Sequence, residues 1–67
     1  MSRKIEVENL RKYVTPEMED KHFHNFSKRA SYAGNGIYCI SGLYSTDTRE
    51  LFLMFVAQQE GLKVNFA

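Results

Sequence analysis

A chain of 67 residues with nine basic and eight acidic side chains, net charge +1, has room for one small domain and lacks the basic excess of a dedicated duplex-DNA binder, whose domain pI exceeds about 9 against 7.9 here. A single cysteine, Cys39, cannot form an internal disulfide and supplies no paired-cysteine zinc framework, so the usual staples of a very small core are missing and a reducing, cytoplasmic setting is expected. The charge is unevenly spread: residues 1–33 carry seven Lys/Arg against five Asp/Glu, residues 34–67 two against three.

The N-terminus begins Met1-Ser2-Arg3-Lys4, but no apolar run of signal-peptide length follows, and nothing in the chain nears the ~20 apolar residues of a membrane span. No membrane association is expected. Arg3 to Glu8 alternates apolar and polar residues as a short strand does, and residues up to Val14 fit a turn or a brief helix.

Val14-Thr15-Pro16-Glu17 reads as a helix start. Thr15 can cap free amides, Pro16 suits the first helical position, and Glu17, Glu19 and Asp20 favour the positive end of the helix dipole. The spacing predicts a helix from Pro16 to about Ala33, with Met18, Phe23, Phe26, Ala30 and Ala33 in one apolar band. Asp20, Lys21, His24, Ser27, Lys28 and Ser31 fall on its opposite face. Gly34-Asn35-Gly36 supplies residues tolerant of positive φ and marks the turn that ends this helix.

Ile37 to Tyr44 is rich in β-branched and aromatic residues and predicts a strand. Asp47 then caps a second helix, with Glu50 three residues on as a variant capping box and Gly61 as the stop. Leu62 to Phe66 alternates with period two as a final strand. The expected architecture is α+β: two helices packed on a short sheet of two to three strands, in the order β-α-β-α-β. If the strands at 37–44 and 62–66 pair in parallel, their connection is a right-handed crossover.

The second helix carries seven consecutive apolar residues, Leu51 to Ala57. At 100° per residue Leu51 and Phe55 share a face, whereas Phe52, Leu53 and Val56 point away from it. A helix resting on one small sheet buries one stripe. Phe52, Leu53 and Val56 are therefore expected to stay partly exposed unless the first helix, a second copy or another protein covers them. Each large apolar side chain left wet forgoes about 1.5–3 kcal/mol, so such a surface favours a partner. The expected function is a non-catalytic protein-binding module, an inhibitor, adaptor or regulator, docking through Phe52, Leu53 and Val56 with Tyr44 and Tyr32 at the edge, or pairing as a homodimer through the same helix.

Other chemistries fit less well. His22 and His24 lie two residues apart, about 200° around a helix, and with one cysteine elsewhere they make no zinc site; neither metal nor cofactor is expected. Cys39 sits mid-strand, where burial makes a thiol inert. Gly34-Asn35-Gly36 lacks the lysine of a phosphate loop. Asn25-Phe26-Ser27 fits a glycosylation sequon, which has no meaning without secretion.

Ile37-Tyr38-Cys39-Ile40-Ser41-Gly42-Leu43 resembles the first-strand motif of the RNA recognition motif family, with Tyr38 at the position whose aromatic ring stacks on a base. Arg49-Glu50-Leu51-Phe52 is similar to that family's first helix. The family's second signature, a basic and aromatic strand rich in glycine, is not found. The resemblance implies an alternative function, nucleic-acid binding through Tyr38. A second route to nucleic acid is read from the residues themselves: Lys21, His24, Lys28 and Arg29 on the polar face of the first helix can meet phosphates.

Overall fold

A computed structural model describes residues 5–6 and 9–65. The chain runs through β1 (Ile5–Glu6), α1 (Leu10–Tyr13), α2 (Pro16–Arg29), β2 (Ser31–Gly34), β3 (Ile37–Ile40), β4 (Leu43–Ser45), α3 (Thr48–Gln59) and β5 (Val64–Asn65). The α+β class holds, but the order is not the expected β-α-β-α-β: among the described residues there are three helices instead of two, and a three-stranded antiparallel sheet in the order β2-β3-β4.

The start of α2 follows the local chemistry. Thr15 Oγ1 accepts a hydrogen bond from the Met18 amide at 3.2 Å, Pro16 opens the helix, and Lys28 and Arg29 sit in its last turn. Its end comes earlier than the expected Ala33. Ala30 turns to an extended backbone, φ −65° and ψ 140°, and Ser31 to Gly34 pair with β3 instead. The cause is non-local: Ser31 lies opposite Cys39 and Tyr32 opposite Tyr38, with the two tyrosine rings 5.1 Å apart.

Two-residue turns build the sheet. Asn35 and Gly36, at φ 55° and 78°, are the positive-φ pair of a tight hairpin whose twist matches its strands. Tyr32 Oη accepts from the Gly36 amide at 2.7 Å and braces that turn. Ser41 and Gly42, at φ 50° and 81°, repeat the device, so the strand expected over residues 37–44 folds back on itself and Ile40 faces Leu43. Arg29 Nη2 donates to Ser41 Oγ at 3.3 Å, tying the end of α2 to this second turn.

The two ends of the described chain meet. β1 pairs in parallel with β5, Ile5 opposite Val64 and Glu6 opposite Asn65, in a separate two-stranded sheet. No crossover joins β5 to β3 or β4. Of the strand expected over residues 3–8 only Ile5–Glu6 is described; residues 3–4 and 7–8, and Phe66 of the final strand, lie outside the described residues.

Local chemistry also sets α3. Asp47 Oδ1 accepts from the Arg49 amide at 2.9 Å, while Ser45 Oγ accepts from the Asp47 amide at 3.1 Å. At the far end Gly61 adopts φ 75°, and the Leu62 amide donates to the Ala57 carbonyl at 2.9 Å, closing the helix with a left-handed cap. Leu62 then packs on the core.

The core is α3 itself. Leu51, Leu53, Met54, Phe55, Val56 and Ala57 are all buried, joined by Leu10 and Val14 around α1 and by Ile40 and Leu43 from the sheet. Met18 and Phe26 of α2 pack against the same cluster. This corrects the expectation for two docking residues: Leu53 is 7% and Val56 0% exposed. The helix is apolar on every side because protein surrounds it, α1 and α2 as well as the sheet. Among the described residues, no helix is long and apolar enough to cross a membrane.

Candidate functional site

Phe52 is the α3 side chain that the surrounding elements leave half-buried. Two rings of α2, three residues apart on one side of that helix, meet it edge-on: Phe26 at 5.0 Å between centroids and Phe23 at 6.0 Å. Phe26 reaches inward as well, 6.0 Å from Phe55. Phe23 reaches outward and remains 61% exposed. The α2 stripe that faces the core is Met18, His22 and Phe26, spaced by four, and Phe23 stands about 100° off it. An aromatic ladder therefore runs from the core at Phe55 through Phe26 and Phe52 to solvent at Phe23.

Beside the ladder lies a groove of about 390 Å³, lined by Arg11 from α1, Glu19 from α2, and Arg49, Phe52 and Leu53 from α3. Cap geometry fixes Arg49 in the first turn of α3, and Glu19 occupies the first turn of α2. The floor is apolar and the rim charged, two guanidinium groups to one carboxylate. Among the described residues, neither guanidinium makes an ion pair or a hydrogen bond.

The remaining candidates are dispersed. Register puts Tyr32 on the same sheet face as Tyr38, Ile40 and Leu43, beyond the edge of the core, and Tyr44 on the opposite face with Cys39 and Ser31. Both tyrosines are exposed, at 60% and 64%, but they cannot belong to one flat surface with each other. Tyr38 is half-buried beneath Tyr32 and packed against the core. Lys21 Nζ lies 3.8 Å from Glu60 Oε2, Arg29 is tied to Ser41, and Lys28 is exposed. The 37–43 stretch of the RNA recognition resemblance is not one strand: it is split between β3, a two-residue turn and the start of β4.

Of the histidines, His24 is exposed and His22 is buried against Phe55, its Nε2 3.7 Å from Glu60 Oε2 and without a hydrogen-bond partner. Cys39 Sγ lies 3.5 Å from Ser31 Oγ. Among the described residues, no group of three or more His, Cys, Asp or Glu is placed to hold a metal ion.

Arg11, Glu19, Arg49 and Phe23 were not singled out by sequence reasoning as site residues. Arg11 and Arg49 are 38 positions apart and meet only through tertiary packing. The expected apolar band of this helix included Phe23; the structure puts His22 in the core-facing stripe with Met18 and Phe26 and leaves Phe23 61% exposed. Comparison with protein families, characterised sequences and solved structures gave no match.

Proposed function

We propose that this protein is a non-catalytic binding module that docks another protein through the outer end of the aromatic ladder, Phe23 and Phe52, and the adjoining groove. The observation that carries the reading is Phe23: a large ring 61% exposed that meets edge-on the ring of Phe52, which itself lines the groove. Contiguous exposed apolar surface favours a partner, and aromatic and arginine side chains are the groups enriched at the centres of interfaces. The non-catalytic part is supported by how the reactive side chains are placed. Cys39 meets a serine hydroxyl rather than a base, and His22 is buried against Phe55.

The test is a quantitative pull-down comparing the wild-type chain with Phe23→Asp, with and without nuclease. The expected result is a near-stoichiometric protein that survives nuclease and is lost with Phe23→Asp while circular dichroism shows the fold kept. A partner held equally by Phe23→Asp would remove this surface from the function. Recovery of nucleic acid, with proteins lost after digestion, would move the function to Tyr38 and the basic residues of α2. Sedimentation that shifts with concentration for wild type but not for Phe23→Asp would identify the partner as a second copy.

A further inference from the structure

We propose that the groove between α1, α2 and α3 receives an acidic segment of the partner: an Asp or Glu side chain taken up by Arg11 and Arg49, with a neighbouring apolar side chain seated on Phe52 and Leu53. The inference rests on the protein-docking reading above and adds the chemistry of what docks.

Charge complementarity is the first support. Arg11 and Arg49 both line the groove, from different elements, and among the described residues both guanidinium groups lack partners. A guanidinium offers a planar fork of donors matched to a carboxylate, and such charge-assisted pairs are among the stronger hydrogen bonds. The apolar floor strengthens them further by displacing water from one side.

Glu19 narrows the choice. A carboxylate on the α2 wall repels a second acid, so the groove suits one acidic residue among apolar ones better than a run of acids or a phosphate backbone. Phe52 decides between a peptide and a small carboxylate. It belongs both to the groove floor and to the ladder that ends at Phe23. A small carboxylate filling about 390 Å³ would leave Phe23 uncovered, whereas a peptide continuing past Phe52 covers both.

A phage library of short random peptides panned against the wild-type protein tests this, with selected peptides synthesised and titrated by fluorescence anisotropy. The expected result is enrichment of a single Asp or Glu beside aromatic or aliphatic residues. Replacing that acid by its amide should weaken binding by roughly ten- to a hundredfold. Arg49→Gln or Arg11→Gln on the protein should also weaken binding of the acidic peptide, and the amide substitution should cost less against either variant than against wild type, the signature of direct coupling in a double-mutant cycle. Both arginines are exposed, so circular dichroism should show the fold unchanged.

Three results would overturn the proposal. Peptides without an acid, lost with Phe23→Asp but kept by both arginine variants, would defeat the acidic segment and leave protein docking standing. Enrichment of basic peptides would reverse the sign of the groove. No peptide dependent on Phe23, Phe52 or either arginine would take the docking reading down as well.

Discussion

Phe52 and Phe55 are three positions apart on one helix, yet their surroundings assign them different work. Phe55 is 1% exposed and touches the rings of His22 and Phe26, so Phe55→Ala removes a filled core position and should cost about 3–5 kcal/mol. A small core supplies about that much in total, and the variant should be largely unfolded at room temperature. Phe52→Ala forfeits two edge-on ring contacts worth about 0.5–1.5 kcal/mol each and only part of a burial term, so its midpoint should fall between those of wild type and Phe55→Ala. Urea denaturation followed by far-ultraviolet circular dichroism measures both. Equal losses would make Phe52 a core residue and remove the centre of the proposed docking surface.

The elements were legible in the sequence wherever their chemistry is local. Thr15 and Asp47 were expected as caps, and both side chains accept hydrogen bonds from amides two or three residues on. Asp47→Ala should therefore cost about 1 kcal/mol, read as a lower urea midpoint with unchanged slope, and Asp47→Ser should restore most of it; no recovery by serine would place the effect in the chain's entry to α3 rather than in the cap. Local signals misled where two conformations share a pattern. Ala30 and Ala33 continue the helical spacing of α2, but the backbone leaves the helix after Arg29 because pairing opposite β3 is available. Gly34-Asn35-Gly36 reads equally as the end of a helix and as a hairpin turn, since Asn35-Gly36 between aromatic and β-branched residues is also the strongest short hairpin signal. Ser41-Gly42 carries no such signal locally, because the residues on both sides of it within 37–44 are apolar and fit one continuous strand. The charged rim of the groove was not legible at all, since Arg11, Glu19 and Arg49 converge only after three helices have packed.

At the scale of the molecule, the apolar run Leu51–Ala57 answers to no single layer. It is the axis on which α1, α2 and the β3–β4 hairpin all rest, and these elements contact α3. Reading α3 as a helix on one sheet left Leu53 and Val56 as surface; placing a second layer of helices over it makes them core. That arrangement predicts a single cooperative unit. Val56, wholly enclosed, tolerates no charge, and Val56→Asp buries an unpaired carboxylate whose desolvation exceeds what so small a fold can offset. The sheet and α2 should then be lost together: tyrosine signals from the Tyr32–Tyr38 pair and helical dichroism should vanish in the same variant. For the wild-type chain the two probes should trace one urea transition. Phe23→Asp, adding a charge where the ring already meets water, should leave both probes native. If Val56→Asp kept the tyrosine signal while helical dichroism fell, the sheet would stand without α3, and the helix would be a separable layer rather than the axis of the fold.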